Sequence, residues 1–384
     1  MRARSNLNIG ITCYPLIGGS GILATALGTE LAERGHRVHF FSSAPPVRLD
    51  LNQPGIFFHQ VVVKEYSLFT YPDYTLPLAV RMAEVGQAER LDVFHVHYAV
   101  PHATAAYLAR LMLDASPGRT PKTVTTLHGT DITLIGSDPS YRRVVAFSIE
   151  RSDAVTAVSR SLRDDTIEQV GVRGEIAVIP NFLDCTEFRR LPDRELRARL
   201  CPPDRYDALV VHMSNFRPVK RVDAAIEVFH RIRQRVRARF LLVGDGPVRP
   251  EVEKRVEAYG LDEDVLFAGA QGDPVRWLSV SDLFLLPSLQ ESFGLAALEA
   301  MACEVPVVAS RVGGLLEIVR DGATGFTCAP DDLDGMADRG VALLTDAALR
   351  EPIVQRACEM VRADYCTGRI VPMYEAAYED VLAR

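Results

Sequence analysis

The sequence predicts an α/β protein with two domains, each built around a parallel sheet. The chain has 384 residues, a length that predicts about two domains. Hydrophobic residues make up 48% of it and charged residues 24%, a balance typical of globular proteins. Short apolar runs alternate with helical patterns in two successive series. This alternation is typical of parallel sheets with helices on both faces.

The first series begins with a strand at 7–12. After a glycine-rich segment, Leu23, Leu27 and Leu31 repeat every four residues, which predicts a helix that stops at Gly35. Pro101 is expected to open a second helix that continues to residue 113. Further strands are predicted at 38–41, 92–97, 123–127, 154–158 and 176–179.

The second series begins with a strand at 209–212, followed by a helix at 222–232. Further strands are predicted at 240–243, 265–267, 283–286 and 305–308. Between the two series, the start of the second domain is rich in charge and proline up to residue 207, as domain junctions often are. We therefore expect two Rossmann-like domains, 1–184 and 185–367, and a final helix at 368–384 that packs back onto the first domain.

Charge and cysteine content limit the classes of partner. The chain carries 43 Lys and Arg residues against 50 Asp and Glu residues, a net charge of −7, so no nucleic-acid partner is expected. None of the seven cysteines forms a CxxC pair, which leaves a zinc site unsupported. We expect all seven to be reduced thiols in a cytoplasmic protein. They are Cys13, Cys185, Cys201, Cys303, Cys328, Cys358 and Cys366.

Membrane attachment is not expected either. No apolar run approaches the ~18 residues of a membrane span, so we expect no stable membrane association. Asn6 and Asn8 interrupt the apolar stretch near the start of the chain, so no signal peptide is expected.

A glycine-rich segment at 18–21 lies between the first strand and its helix. Glycines let a backbone approach an anion closely, and a helix start offers unpaired N–H groups, so phosphate or sugar contact is expected. The alternative is a turn that serves packing only. Read loosely, Gly19, Gly21 and Ala24 also fit a dinucleotide fingerprint, but no carboxylate follows at the end of the second strand. Because of Arg48, an NADP-binding site stays an alternative interpretation of this segment.

Histidines follow two strands of the first series. His95 and His97 point to one side of a strand, and no third metal ligand stands near them. We expect them to be packed or hydrogen-bonded, with Tyr98 reaching the ligand-binding edge. His128, followed by Gly129, can donate a hydrogen bond or act as acid or base near neutral pH. The alternative is a loop histidine that holds its turn.

Two charged segments of the second series suit an anionic, hydroxylated ligand. Arg217, Lys220 and Arg221 follow the first strand and are spaced for a diphosphate, unless they form a solvated basic face. Downstream of Glu291, Glu299 is the one charged residue in a helix of Leu, Ala and Met. Such a carboxylate is costly unless it is paired or bound to a ligand, for example to sugar hydroxyls. The alternative is two exposed glutamates.

Together these segments resemble the retaining GT-B glycosyltransferases of family GT4 over nearly the whole chain. The most specific match is the E-x7-E element of Glu291 and Glu299. Supporting matches are residues 18–21, Lys220, residues 244–247, Gly313, Gly314 and Glu317. The resemblance implies a GT-B fold, with two Rossmann-like domains facing each other across a cleft. The first domain would take the acceptor and the second the nucleotide sugar.

The resemblance also implies roles for single residues. Glu299 would hold the ribose, Lys220 would neutralise the diphosphate, and His128 would contact the transferred sugar. Where many members have arginine, this chain has Asn215, so Arg217 is expected to supply that charge. The implied catalytic residues are His128, Arg217, Lys220 and Glu291. The implied donor-binding residues are Gly19, Ser20, Asn215, Lys220, Ser292, Phe293, Gly294, Leu295 and Glu299.

Within the family, segments 13–15, 128–131 and 214–221 resemble members that transfer N-acetylglucosamine from UDP-GlcNAc to L-malate, the first step of bacillithiol synthesis. The residues expected to hold the acceptor are Tyr98, Thr130, Arg142, Arg143 and Asn215. No cofactor is expected, and no Asp-x-Asp motif follows a strand, so metal-independent transfer is implied. Other acceptors (an inositol phosphate, a lipid or a glycan), an NADP-dependent oxidoreductase and a homo-oligomer all stay open.

Overall fold

Two parallel sheets organise the chain. The computed structural model describes residues 6–15, 18–63, 73–115, 118–136 and 138–384. Unit 1 comprises Met1–Asn181 together with Gly368–Arg384, and unit 2 comprises Phe182–Thr367. Each unit holds one sheet flanked by helices, so the α/β class is confirmed.

The sheet of unit 1 has seven strands. They are β1 (Asn8–Thr12), β2 (Arg37–Ser42), β3 (Ile56–Gln60), β4 (Val93–His97), β5 (Lys122–Leu127), β6 (Ala154–Ala157) and β7 (Ile176–Val178). Their order is β3-β2-β1-β4-β5-β6-β7, and all neighbouring pairs are parallel. The order reverses between β1 and β4. In open parallel sheets, ligands bind outside the carboxyl ends of the strands at such a switch point.

In the described part of the chain, six α-helices belong mainly to unit 1. They are α1 (Gly19–Glu33), α2 (Thr75–Ala88), α3 (Thr104–Asp114), α4 (Pro139–Glu150), α5 (Arg160–Asp165) and α14 (Thr367–Ala383). Helix α14 contributes the fully buried rings of Tyr374 and Tyr378. The Tyr378 hydroxyl lies 2.7 Å from Nδ1 of His95 on β4, which attaches this helix to the sheet of unit 1.

Two local predictions in unit 1 are wrong in detail. The glycines at 18–21 do not form a loop before the helix, because Gly18 caps α1 and Gly19 already opens it. Pro101 does not open α3, which begins at Thr104. Val100 before it is extended, the conformation that a residue preceding proline prefers, and an irregular turn at 99–103 intervenes. Strand β3 and helix α2 were not predicted.

The sheet of unit 2 has six strands. They are β8 (Ala208–Met213), β9 (Ala238–Val243), β10 (Val265–Gly269), β11 (Leu283–Leu286), β12 (Val307–Ser310) and β13 (Phe326–Cys328). Their order is β10-β9-β8-β11-β12-β13, again parallel throughout, with its switch point between β8 and β11. All of these strands except β13 were predicted, and β12 lies two residues later than expected.

Eight helices cover the sheet of unit 2. They are α6 (Arg194–Leu200), α7 (Val222–Arg233), α8 (Arg249–Ala258), α9 (Pro274–Leu278), α10 (Leu295–Ala302), α11 (Leu315–Ile318), α12 (Leu333–Thr345) and α13 (Ala347–Asp364). The core between sheet and helices includes the rings of Phe216, Phe229 and Phe240. Among the described residues of the whole chain, no helix is long and apolar enough to cross a membrane.

One cysteine pair departs from the prediction of seven reduced thiols. Cys185 and Cys366 form a disulfide, with Cα atoms 5.6 Å apart and a sequence separation of 181. The other five thiols are unpaired and buried. Spacing could not reveal this bond, because the two cysteines come together only through the fold.

Candidate active site

Neutral histidines line the carboxyl edge of the first sheet. His97 ends β4 and its Nδ1 lies 2.8 Å from Nε2 of His128, which directly follows β5. The rings of His95 and His97 stack with centroids 4.6 Å apart, and Nε2 of His95 lies 2.8 Å from the Thr126 hydroxyl. These histidines are thus hydrogen-bonded, as expected. In the described residues no group of three or more His, Cys, Asp or Glu could hold a metal ion.

Burial controls the charge of these rings. Removal from water and, to a smaller extent, a nearby imidazole lower the pKa of His95 and of His128 to about 3. Burial also lowers the pKa of His97 well below its ordinary value. The cluster is therefore uncharged near neutral pH. His128 can offer a hydrogen bond or a polar edge to a ligand, but not a positive charge.

Tyr98 brings two predicted site residues together. Its hydroxyl lies 2.5 Å from the hydroxyl of Ser20 in the first turn of α1, and its ring centroid lies 5.2 Å from that of His128. Tyr98 has a φ of 88°, a left-handed conformation that costs energy for a bulky residue. The first-turn N–H groups of α1, including that of Gly19, lack partners within the helix. Sugar hydroxyls or an anion would find donors here.

Asp131 holds the two loops of this edge and was not among the predicted site residues. It is fully buried. Its Oδ1 accepts the N–H of Gly129 at 3.0 Å, and its Oδ2 accepts the N–H of Ala99 at 3.1 Å. Burial raises the pKa of this carboxyl to about 6, although the backbone donors oppose the rise. The sequence shows only an acidic residue shortly after β5, because the contact with Ala99 exists only in the fold.

The other predicted acceptor residues are less closely connected. Thr130 is half-buried between His128 and Asp131. Arg142 and Arg143 are exposed on α4, and neither forms an ion pair with a residue in the described ranges. The structure therefore groups Ser20, Tyr98, His128 and Thr130, but not the two arginines, at one edge of unit 1.

Unit 2 presents a cation and a carboxylate at the switch point of its own sheet. Lys220 lies in a short turn after β8, and Glu291 follows the neighbouring strand β11. The Lys220 Nζ donates to Oε1 of Glu291 at 2.5 Å, and the Ser288 hydroxyl donates to the same oxygen at 3.0 Å. Both charged side chains are partly covered, so water screens the attraction between them less than it does in a fully exposed ion pair.

The backbone around Glu291 needs glycine at two positions. Gly313 has a φ of 48°, and a Cβ there would lie 2.1 Å from the Glu291 carbonyl oxygen. A Cβ at Gly314 would lie 2.2 Å from the carbonyl oxygen of Ser292, and the Gly314 N–H donates to the Glu291 carbonyl at 2.9 Å. This close approach explains the glycine pair noted in the sequence. It also fixes the loop that carries Glu291 and Ser292.

Helix α10 starts directly beyond this loop. Gly294 caps it with a φ of 95°, and Leu295 opens it. Phe293 is buried and packs edge-on against Tyr365, with ring centroids 5.8 Å apart. Glu299 lies one turn further, half-buried among buried Ala and Leu side chains. The positive end of the helix dipole and the N–H groups near Gly294 suit a phosphate.

The three cations of the basic segment, Arg217, Lys220 and Arg221, have different surroundings in the structure. Arg217 is exposed and has no ion pair among the described residues. The guanidinium of Arg221 instead donates to the Pro330 carbonyl at 2.6 Å and to Asp331 at 3.1 Å. Of the three cations, Lys220 is therefore the one held against a site carboxylate.

Asn215 lies beside this lysine turn. Its Oδ1 is buried and has no hydrogen-bond partner in the described part of the chain. The backbone of Asn215 packs closely on Gly246, where a Cβ would lie 2.4 Å from the Asn215 carbonyl oxygen. His212, two residues before Ser214, lies 2.8 Å from the Ser214 hydroxyl through Nε2, and burial lowers its pKa to about 4. The close approach of Gly246 thus fixes the backbone at Asn215, and the side-chain amide has an acceptor oxygen to offer.

Comparisons with known proteins agree with this arrangement. A family model described as "Glycosyltransferase Family 4" matches residues 17–187, and one described as "Glycosyl transferases group 1" matches residues 207–346. The N-acetyl-alpha-D-glucosaminyl L-malate synthase of Bacillus anthracis is 46% identical over 98% of this chain and 97% of its own. A D-inositol 3-phosphate glycosyltransferase of Kribbella flavida is 28% identical, over 89% of this chain and 86% of its own.

The fold has a solved counterpart. The crystal structure of Anabaena Alr3699/HepE in complex with UDP and glucose superimposes with a TM-score of 0.81 and 21% identity, covering 98% of this chain and 100% of that chain. At this identity the likeness concerns the fold alone. The matched family models and the 46% identical relative carry the assignment further. The chain belongs to glycosyltransferase family 4 and has the GT-B fold that its motifs indicated.

Proposed function

We propose that the chain transfers N-acetylglucosamine from UDP-GlcNAc to the hydroxyl of L-malate in the cytoplasm, with retention at the sugar carbon, as the first step of bacillithiol synthesis. The observation that carries the transferase chemistry is the Lys220–Glu291 contact at the switch point of the second sheet. The choice of acceptor is supported by the relative that shares 46% of its residues with this chain.

In this proposal unit 2 binds the donor. Glu299 accepts hydrogen bonds from the ribose hydroxyls, and the N–H groups from Phe293 to Leu295 meet the diphosphate at the start of α10. Lys220 turns its ammonium from Glu291 to the diphosphate, and the released Glu291 carboxylate accepts hydrogen bonds from the sugar. The exposed Arg217 adds a second cation from the same segment.

Unit 1 binds the acceptor and part of the sugar. The hydroxyls of Ser20 and Tyr98, already in contact, and that of Thr130 offer hydrogen bonds to malate carboxylates, while neutral His128 contacts the transferred sugar. Gly19 adds a backbone N–H at the start of α1. Asn215, Arg142 and Arg143 are the remaining proposed acceptor contacts. The two arginines are exposed and would have to turn towards the ligand.

The proposed transfer is a displacement on one face of the sugar. The bond between the sugar carbon and the UDP phosphate breaks, and a bond to the malate hydroxyl oxygen forms on the same face. The hydroxyl proton passes to an oxygen of the departing phosphate. The protein contributes by positioning the substrates and by stabilising charge on the leaving group with Lys220 and the helix dipole, without a metal ion. Neither Glu291 nor Glu299 serves as a nucleophile.

A rate assay with several acceptors tests this proposal. The protein is mixed with UDP-GlcNAc and, separately, with malate, other small hydroxy acids and an inositol phosphate, and UDP release is measured. Release that depends on malate is expected. Release only with another acceptor would leave the family assignment unchanged and would refute malate as the acceptor. Binding of NADPH without binding of UDP would favour an oxidoreductase instead.

A further inference from the structure

We propose that Cys185 and Cys366 are a reversible modification site, at which low-molecular-weight thiols and disulfides set the affinity of unit 2 for its nucleotide. The proposal goes beyond the proposed function. It rests on the proposed function in one respect, namely that the nucleotide binds to unit 2.

Chemical selectivity favours this pair. Both cysteines are partly exposed, whereas the other five are buried. Burial raises the pKa of Cys13 and of Cys303 to about 12, and it also raises the pKa of Cys201, Cys328 and Cys358. Because the thiolate is the reacting form, these five thiols are slow nucleophiles as well as inaccessible ones. Exchange is therefore directed to Cys185 and Cys366.

The backbone keeps the two cysteines together when the bond is broken. Leu183 pairs with Cys366 in an isolated β-bridge. The Leu183 N–H donates to the Tyr365 carbonyl at 2.9 Å, and the Thr367 N–H donates to the Leu183 carbonyl at 3.0 Å. These bonds do not depend on the sulfur atoms. The reduced thiols would therefore stay near each other, and re-oxidation would be an intramolecular step that is easily reversed.

One aromatic contact connects the disulfide region to the loop that carries Glu291 and Ser292 and precedes α10. Tyr365, the residue before Cys366, is buried and packs edge-on against Phe293, with ring centroids 5.8 Å apart. Phe293 lies between Glu291 and Gly294, in the loop that precedes α10. Fixing Cys366 therefore fixes the ring that supports this loop. Reduction leaves the backbone hydrogen bonds of the β-bridge in place but removes the covalent restraint on Cys366, so the neighbouring Tyr365 ring gains freedom and the loop loses part of that support.

Reduction of the disulfide proceeds by two successive thiol–disulfide exchanges. A small thiolate attacks one sulfur, the protein S–S bond breaks, a mixed disulfide forms, and the other cysteine leaves as a thiolate that takes up a proton. A second small thiolate then attacks the mixed disulfide and releases the small disulfide, while the remaining cysteine sulfur is protonated. Two electrons thus pass to the protein disulfide, and two small thiols are oxidised. The reverse reaction uses the small disulfide as oxidant.

The size of the effect follows from the aromatic contact. Loss of one edge-on aromatic pair is expected to weaken UDP binding about 2- to 10-fold. The measurement is the UDP dissociation constant of the full chain by calorimetry, after equilibration with glutathione disulfide as oxidant or with reduced glutathione as reductant. Differential alkylation and mass spectrometry report the state of each cysteine in the same samples.

Three variants make the test specific. Cys185→Ser combined with Cys366→Ser is expected to bind UDP like the reduced protein under both conditions. Cys201→Ala, which removes a buried unpaired thiol, should respond to reduction as the unaltered protein does. Tyr365→Leu should keep the disulfide and lose the difference in UDP affinity, because the contact to Phe293 is gone.

Two results would overturn the proposal. One is the absence of a Cys185–Cys366 linked peptide after equilibration with the oxidant. The other is equal UDP affinity in the oxidised and reduced states, which includes no UDP binding in either. If the malate reaction fails but the UDP affinity depends on the redox state, the proposed acceptor is refuted and the modification site is supported. If transfer depends on malate but the UDP affinity is equal in the two redox states, the proposed acceptor is supported and the modification site is refuted.

Discussion

Replacement of Lys220 by alanine tests the proposed chemistry most directly. Its ammonium lies 2.5 Å from Oε1 of Glu291, and the two side chains are 22% and 10% exposed. The substitution removes the cation that would oppose charge developing on the diphosphate, and it leaves the Glu291 carboxylate in the same place. One preorganised group of this kind contributes about 10²- to 10³-fold to kcat, or about 2.7–4 kcal/mol of activation free energy. We expect Lys220→Ala to lose that factor in kcat.

The fold should be little affected by the same change. A partly exposed ion pair contributes about 1 kcal/mol or less to stability, and the Ser288 hydroxyl still donates to Glu291 at 3.0 Å. Arg221→Ala is the matched control. It removes a neighbouring cation that bonds to the Pro330 carbonyl and to Asp331, which is 94% exposed. We expect this variant to keep nearly the full kcat.

The assay is the initial rate of UDP release, with kcat and the KM for UDP-GlcNAc determined separately for each variant. A loss in kcat with nearly unchanged KM is expected when a group acts mainly in the transition state. A fall in kcat of less than about tenfold, or 1.4 kcal/mol, would refute the reasoning. So would a loss confined to KM, because Lys220 would then bind the ground state and the transition state equally.

Three further predictions concern metal dependence, pH and stability. Prolonged treatment with EDTA should leave the transfer rate unchanged, and strong inhibition restored by a divalent cation would contradict metal-independent transfer. Because burial lowers the pKa of His128 to about 3, kcat should show no inflection from this histidine between about pH 6 and 8; an inflection that disappears in His128→Asn would contradict it. The pKa of Asp131 is raised to about 6, so its contribution to stability is full below its unfolded pKa and is lost as pH rises through about 6. Urea unfolding should therefore show a larger penalty for Asp131→Asn at pH 5 than at pH 7.5, and an equal penalty would count against a buried, raised carboxyl.

The sequence was most informative about the buried strands. Parallel strands covered on both faces are continuous apolar runs, and Leu283–Leu286 was predicted with its observed bounds. Ile56–Gln60 was missed because this edge strand is mostly uncovered and contains His and Gln. Phe326–Cys328 was missed because three residues give no periodicity. Burial therefore explains the first two results, and strand length explains the third, because Phe326–Cys328 is fully buried.

The site was predictable as residue types at strand ends, but not as contacts. Lys220 and Glu291 are 71 residues apart and meet because β8 and β11 are neighbours in the sheet. Strand order is a property of the whole sheet and leaves no mark on either segment. Asp131 was missed for a similar reason, because its carboxylate binds backbone N–H groups of two loops. Arg142 likewise forms no ion pair with the described residues because its side chain is exposed, which charge alone does not reveal.

The pairing of Leu183 with Cys366 has a consequence for recombination within the family. Unit 2 is an insertion within unit 1, and its two ends, Phe182 and Thr367, flank this bridge. A segment that starts and finishes at one point can be exchanged without rerouting the chain that receives it. Residues 182–367 therefore form a natural cassette, and chimaeras joined at this bridge would combine unit 2 of one family member with unit 1 of another, which tests the proposed division between donor and acceptor binding.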